Sequence, residues 1–172
     1  MKSTKSIAAL VLVCSIVALM LAVTNYFTAP TIAKNEAQAV QQALLQVMPD
    51  GGTFEKMDIS EYSLPKIVSE VYHASNGGYV FKLKTKGQNT GLIIMCGVNP
   101  DGTVSGASCI ASKEDLKHEK TYGERFQGLD SAGAEKVDTI SQATKTTKAY
   151  KDAVKTALKV AAQLKGVAED EK

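Results

Sequence analysis

Leu92-Ile93-Ile94-Met95-Cys96 is a continuous apolar run, followed by the turn signal Asn99-Pro100-Asp101-Gly102 and then by the segment 103–110. A short apolar run bounded by turn residues is typical of a strand that is covered on both faces. Proline fixes φ within the turn, and glycine supplies a conformation that other residues avoid. This stretch therefore predicts an antiparallel hairpin inside a packed sheet.

The register of this hairpin determines how far apart Cys96 and Cys109 lie, and therefore whether they can form a disulfide. A turn at 99–102 is expected to place Cys96 opposite Ser105 and Cys109 opposite Leu92. The two cysteines would then be offset by about 13 Å along the strands, whereas a disulfide needs Cα atoms within about 7 Å. We expect two separate buried thiols. No Cys-x-x-Cys pair occurs and only two histidines are present, so a zinc or iron–sulfur site is not expected.

Two further segments upstream of the hairpin have strand patterns. Residues 68–73 favour a strand, and large apolar residues occupy alternate positions in 79–84, which predicts a strand with one buried face. The sequence Asn76-Gly77-Gly78 between them predicts a turn. Residues 53–64 have a weak pattern, which indicates a loop with a short strand or a helical turn.

The N-terminal part of the chain has the composition of a membrane span. No charged residue occurs from Ser6 to Ala33, and the apolar run from Ile7 to Phe27 is about as long as a helix that crosses a bilayer. This run is too long for the core of a signal peptide, and no small-residue cleavage site ends it. Cys14 follows a bulky valine, which argues against a lipid-attachment cysteine. We therefore predict a retained transmembrane anchor.

The charges around this span predict its orientation. Lys2 and Lys5 precede it and no acidic residue does, which places the N-terminus in the cytoplasm and the rest of the chain outside the cytoplasmic membrane. Tyr26 and Phe27 suit the outer interface. All 18 acidic residues and 18 of the 20 basic residues follow the span, so that this part has a formal charge of 18 − 18 = 0. Such a balance favours neither nucleic acid nor an anionic membrane surface as a partner.

Two helices are predicted after the span. Residues 31–48 have helical apolar spacing and are ended by Pro49-Asp50-Gly51-Gly52; this helix is expected to be partly a stalk and partly packed on the domain. The last helix is predicted over 147–165, with Gly166 ending it. Its lysines, Lys148, Lys151, Lys155 and Lys159, are interpreted as a solvated face rather than a partner-binding patch.

The stretch Asp138-Thr139-Ile140-Ser141-Gln142-Ala143-Thr144 lies just before that last helix. A helix N-terminus presents unpaired N–H groups and a partial positive charge, which together favour a phosphate. The alternative is simpler, since Ser141, Thr146 or Thr147 can serve as an ordinary helix cap.

This stretch resembles the flavinylation motif Asp-x-x-Ser/Thr-Gly-Ala-Thr/Ser of the FMN-binding domain family, with matches at Asp138, Ser141, Ala143 and Thr144. The resemblance implies FMN joined through its phosphate to Thr144 by a flavin transferase. Gln142 stands where that family usually has glycine. Glutamine is bulkier and disfavours positive φ, so obstruction of the flavin or the transferase is one expectation and normal attachment is the other.

A second part of the resemblance is the loop 118–125. It is similar to the family's His-x-Glu-Thr-Pro-Gly-Leu-Gly, with matches at His118, Thr121 and Gly123. The resemblance implies a flavin-facing loop. Tyr122 departs from the family pattern; in such a loop we expect its ring to lie against the isoalloxazine ring, since aromatic stacking is favourable, and the alternative is a surface tyrosine without a special role. An ordinary exposed loop remains the alternative. Residues 28–36 also look like the juxtamembrane segment of Rnf G-type proteins.

The resemblance covers the chain in order and implies its organisation: an α+β protein with a cytoplasmic N-terminus and transmembrane helix (1–28), a juxtamembrane helix (29–49), an FMN-binding domain with an antiparallel sheet packed by helices (50–166) and a charged tail (167–172). It also implies a redox subunit that works with other membrane subunits of an Rnf-type ferredoxin:NAD+ oxidoreductase, coupled to sodium or proton transport. Two alternatives are kept: a stand-alone anchored flavin domain, and a non-redox interaction or assembly module whose flavin site has decayed. No Ser-His-Asp set or paired carboxylates suggest independent catalysis.

Overall fold

A computed structural model describes residues 2–60, 62–112 and 119–170. The chain divides into two compact units, Met1–Gln41 and Gln42–Lys172. The first helix, α1 (Lys2–Val47), contributes residues to both units.

The first unit is the larger part of α1. Its segment Leu10–Ala29 is long and apolar enough to cross a membrane, and within the described residues it is the one helical segment that meets this test. Large apolar side chains along it are exposed. The hydroxyls of Ser15, Thr24 and Thr28 each donate to the carbonyl four residues earlier, at 2.8 Å. These polar groups are therefore satisfied within the helix, as an apolar environment requires.

The second unit is built on a five-stranded antiparallel sheet with the order β1-β2-β3-β4-β5. The strands are β1 (Phe54–Lys56), β2 (Val68–Ala74), β3 (Tyr79–Lys86), β4 (Thr90–Val98) and β5 (Val104–Ala111). The helices that follow are α2 (Glu119–Tyr122), a 3₁₀ turn (Gly123–Phe126), α3 (Ser131–Lys136) and α4 (Thr144–Asp170). The unit is thus an antiparallel sheet covered by helices, and the predicted α+β class is confirmed.

Each face of the sheet is covered by a different helix. On one face, α4 and the 3₁₀ turn pack on a core that includes Phe81, Leu83 and Ile94. On the other, the end of α1 (Gln42–Val47) buries Leu44 and Val47. The carbonyl oxygen of Val47 lies 2.8 and 2.7 Å from the positions that a Cβ atom would take at Gly97 and Gly106. This pair of facing glycines lets the helix end approach the strands closely.

The predicted hairpin forms, but the predicted register is wrong. Cys109 faces Ile94 and Cys96 faces Ala107, because Thr103 joins the turn and the β4–β5 ladder contains irregularities. The carboxylate of Asp101 accepts hydrogen bonds from the backbone N–H of Thr103, at 2.9 Å, and from its hydroxyl, at 2.6 Å. These bonds fold Thr103 into a longer turn that Val98 and Val104 close. Both cysteines are thiols and are not joined in a disulfide, and burial raises the pKa of Cys96 to about 12.

Three further predictions need correction. The last helix begins at Thr144, three residues before the predicted start, and it continues through Gly166 to Asp170. The described part of the predicted loop 118–125 is not loop but contains α2 and most of the 3₁₀ turn, and α3 follows it. Met48 and the short 3₁₀ turn Pro49–Gly51 end α1 as the breakers predict. His118 and the five residues before it lie outside the described residues.

Candidate functional site

Thr144 is the first residue of α4, and its side chain is exposed. Its hydroxyl donates to the carbonyl oxygen of Ile140 at 3.4 Å, a long and therefore weak hydrogen bond. The hydroxyl oxygen remains open to solvent at a helix N-terminus. A modifying enzyme can reach it from outside without disturbing the core.

The chain reaches Thr144 through a tight turn. The backbone N–H of Ala143 donates to the carbonyl oxygen of Ile140 at 3.1 Å, so that residues 140–143 form a β-turn. Gln142 is the third residue of this turn, with φ +69°, and is the one residue other than glycine with positive φ in the described part of the chain. A positive φ at this position is the signature of a type II turn, which favours glycine. Gln142 thus stands where the flavinylation motif has glycine, and its backbone has the positive φ that favours glycine.

Two buried threonines brace this turn, and neither caps the helix. The Thr147 hydroxyl donates to the carbonyl oxygen of Ala143 at 2.9 Å and accepts from the N–H of Ile140 at 3.2 Å. Thr146 accepts a hydrogen bond from the N–H of Gln88 at 3.3 Å, which ties the β3–β4 turn to the helix start. Both side chains are almost fully buried. Of the three residues considered as alternative helix caps, Thr146 and Thr147 therefore do not serve as a simple N-cap.

The N-cap position itself is held by Ala143, since its carbonyl accepts the first helical hydrogen bond, from Thr147 N–H at 2.9 Å. Alanine has no side-chain oxygen, so it leaves the first-turn N–H groups of α4 uncapped by its own side chain. Ser141 is exposed just before it, and Lys145 and Lys148 are exposed on the first turns of the helix. An anion held at Thr144 would meet the positive end of the helix dipole and two exposed cations.

Tyr122 holds the other end of the motif. Its hydroxyl donates to the carbonyl oxygen of Asp138 at 3.1 Å. The ring is fully buried and packs edge-to-face on Phe126 and Tyr150, with centroids 5.3 and 5.5 Å away, and burial raises the pKa of Tyr122. A ring enclosed in this way has no open face for an isoalloxazine ring, contrary to the stacking that the loop resemblance implied. Its structural role is to anchor the motif to the core.

Gly123 explains why the loop resemblance includes a glycine. A Cβ atom at this position would lie 1.9 Å from the carbonyl oxygen of Ala107 and 2.5 Å from the Tyr150 hydroxyl. The 3₁₀ turn therefore presses its backbone directly on β5. The neighbouring Thr121 is exposed, and Asp138 has an exposed side chain.

Tyr150, on α4, is a buried neighbour of Tyr122. Its hydroxyl is buried and has no hydrogen-bond partner among the described residues. Burial is the main cause of its raised pKa, with nearby Cys96 and Cys109 adding to it. A helical apolar pattern predicts that such a side chain is inside, but gives no signal for whether its hydroxyl finds an acceptor.

A cleft in this unit lies elsewhere, far along α4 from Thr144. A cleft of about 390 Å³ is lined by Tyr79, Asp101, Lys165 and the glycines of two turns. Lys165 is separated from Thr144 by 21 residues of α4, or about 30 Å of helix. A cofactor tethered to Thr144 would not reach this cleft, so we do not assign it to the site.

The structure brings the predicted site residues into two connected groups. Asp138, Ser141, Ala143 and Thr144 share the turn that starts α4. Tyr122 and Gly123 lie in the helical segment against β5, and the bond from Tyr122 to Asp138 joins the two groups. This arrangement fits the attachment of a phosphate ester at Thr144, because the hydroxyl is exposed, at a helix start and on a braced turn.

Comparison with known proteins gives two family matches and one relative. Residues 2–47 match the RnfG N-terminal region, and residues 87–159 match the FMN-binding domain. The chain is 28% identical to the G subunit of the Na(+)-translocating ferredoxin:NAD(+) oxidoreductase complex of Acetobacterium woodii, over 88% of this chain and 87% of that protein. The FMN-binding match includes the turn, Thr144 and Gly123.

Proposed function

Because the chain belongs to the FMN-binding domain family and has the N-terminal region of RnfG proteins, we propose that it is the electron-carrying flavoprotein subunit of a membrane-bound Rnf-type ferredoxin:NAD+ oxidoreductase. Its FMN is attached by a phosphoester to Thr144. The complex couples electron transfer to the translocation of sodium or protons. The name of the relative supports membership of such a complex, and the match to the FMN-binding domain supports FMN as the cofactor.

The observation that carries the attachment is the geometry of Thr144. Its side chain is exposed and its hydroxyl makes only a weak hydrogen bond to the Ile140 carbonyl, at 3.4 Å, so the oxygen is available to a phosphorus atom that approaches from solvent. The bond forms when the hydroxyl proton leaves and a phosphate–leaving-group bond in the donor breaks. The donor must therefore carry an activated phosphate, as in a flavin whose phosphate is part of an anhydride.

After attachment, FMN supplies the redox chemistry and the chain supplies its position. The N–H groups of the α4 start and the helix dipole stabilise the remaining phosphodiester charge. Ser141 lies in the turn before α4, and the exposed lysines Lys145 and Lys148 lie on the first two turns of the helix. Thr121 and Asp138, both exposed, are the candidates for polar contacts with the cofactor. No residue of the chain needs to act as an acid or base in the electron transfer itself.

A covalent bond suits the proposed location. Lys2 and Lys5 precede the span, so the positive-inside rule places the N-terminus in the cytoplasm and the FMN-binding domain outside it. A cofactor that dissociates there is lost by dilution. A single-pass anchor also keeps the flavin close to the other membrane subunits of the complex and requires that a flavin transferase acts on the extracytoplasmic side.

The attachment is tested by the intact mass of the chain purified from a host that has a flavin transferase. We expect an increase equal to FMN minus water, and flavin fluorescence of the denatured band. Thr144→Ala should lose both completely, whereas Thr144→Ser should keep a part of the label because the hydroxyl survives. Thr139→Ala, an exposed threonine five residues earlier, is the matched control and should be labelled like the natural chain.

Two results would contradict the proposal. Full labelling of Thr144→Val would show that another residue accepts the flavin. A natural chain with the mass of its amino acids alone would exclude covalent attachment and favour an anchored interaction module. Co-purification with several multi-span membrane subunits distinguishes a subunit of an Rnf-type complex from a stand-alone flavin domain.

A further inference from the structure

The turn at Gln142 is a further structural feature of the proposed attachment site. Residues 140–143 form a hydrogen-bonded turn, and Gln142 has the left-handed backbone that such a turn requires at its third residue. A glutamine side chain disfavours this conformation. The chain nevertheless adopts it at the position where the flavinylation motif has glycine.

The turn is held from both sides, which explains how a strained residue persists in it. The carbonyl of Ile140 accepts from the N–H of Ala143 and from the hydroxyl of Thr144. The N–H of Ile140 donates to the buried hydroxyl of Thr147. The surrounding core therefore imposes the turn, and the Gln142 side chain is exposed at its tip. An exposed side chain does not fill the interior that the turn packs against.

We propose that Gln142 is a positioning residue, and that the modifying flavin transferase recognises the left-handed turn at this position and not the glycine itself. The left-handed backbone directs the chain into α4 so that the Thr144 hydroxyl faces outwards. This inference rests on the proposed attachment of FMN to Thr144. It explains how a chain with glutamine in the motif can still be a substrate.

Side-chain size and backbone conformation are two explanations that predict opposite effects of Gln142→Val on the rate of labelling. Valine is smaller than glutamine, but a β-branched residue resists positive φ. Asparagine, in contrast, tolerates the left-handed region better than most residues other than glycine. If the conformation matters, Gln142→Val slows labelling and Gln142→Asn keeps it. If side-chain bulk obstructs the reaction, Gln142→Val accelerates it.

The experiment uses the full-length chain, co-produced with a flavin transferase for a limited time, so that the natural chain is only partly labelled. The readouts are the labelled fraction from intact mass and the thermal unfolding midpoint of the unlabelled chain. We expect Gln142→Gly and Gln142→Asn to be labelled at least as fast as the natural chain. Gln142→Val should be labelled about fivefold more slowly, and Thr139→Val, the control for a β-branched residue in the same loop, at the natural rate.

The Gln142→Asn variant also distinguishes a positioning role of the turn from a general loss of stability. If a Gln142→Val chain that is still folded at the assay temperature is labelled slowly while Gln142→Asn is labelled normally, the turn is the determinant. Faster labelling of Gln142→Val, or equal labelling of all variants, would overturn this inference while Thr144 remains the accepted attachment site. Flavin retained on Thr144→Ala would instead overturn the proposed function.

Discussion

At the scale of single residues, Gly123 and Gln142 both stand where the family motifs have glycine, but the structural requirement differs between them. Gly123 needs the absence of a side chain, since its backbone lies directly against Ala107 and Tyr150. Gln142 needs only a backbone conformation, because its side chain is exposed. The first position cannot tolerate any Cβ atom without movement of β5, whereas the second tolerates a long polar side chain at the cost of some strain.

We expect Gly123→Ala to lower the free energy of unfolding by about 2–3 kcal/mol, because overpacking forces the backbone to shift. The contact is with a backbone oxygen at 1.9 Å, which no change of rotamer relieves. Glu124→Ala, at the next and exposed position, is the control and should stay within about 0.5 kcal/mol of the natural chain. Urea unfolding followed by circular dichroism measures both. Equal stability of the two variants would show that the 3₁₀ turn does not press on β5.

At the scale of elements, α4 connects the proposed attachment site with the core. Its first turn holds Thr144 and Thr147, and its middle places Tyr150, Val154 and Leu158 against the sheet. Since the helix is fixed by this apolar face, the turn at its start is fixed as well. The helix also continues through the exposed Gly166 to Asp170.

We expect Gly166→Ala to stabilise the chain by about 0.5–1 kcal/mol. No atom lies within 4 Å of a Cβ placed there and its φ is not positive, so alanine should gain the usual advantage over glycine inside a helix. Gly128→Ala is the contrasting variant: it also has open space, but its φ is +75°, so it should destabilise by about 1 kcal/mol. Thermal unfolding measures both. A loss of stability in Gly166→Ala would mean that Gly166 ends the helix after all.

At the scale of the whole molecule, two units with different surroundings share one helix. The segment Leu10–Ala29 exposes apolar side chains and satisfies its own polar groups, as suits a membrane anchor. The end of the same helix, Gln42–Val47, becomes part of the domain core. The same helix thus combines a segment with the composition of a membrane anchor and a last turn that belongs to the core of the following domain.

We expect the FMN-binding domain to lie outside the cytoplasm. A protease added to spheroplasts should digest the domain while a cytoplasmic marker protein stays intact. Replacing Lys2 and Lys5 by glutamate removes the positive charge before the span, so a fraction of the chains should become protected and should also lose the flavin label. Complete protection of the natural chain would place the domain in the cytoplasm and contradict this orientation.

The four strands between Val68 and Ala111, an N-terminal apolar helix long enough to cross a membrane and the last helix could be predicted from the sequence, because hydrophobic periodicity is a local property. The left-handed backbone of Gln142, the burial of Tyr122, the unpaired hydroxyl of Tyr150 and the register of the cysteines could not. The burial of Tyr122 depends on residues far apart in the chain, because β5 and α4 enclose its ring. The turn and the register depend on side-chain hydrogen bonds that hydrophobic periodicity does not reveal: Ile140 with Thr147, which the packed helix α4 holds in place, and Asp101 with Thr103. Tertiary packing overrides local preference at these points because the free energy of burying the core exceeds that of one strained or displaced residue.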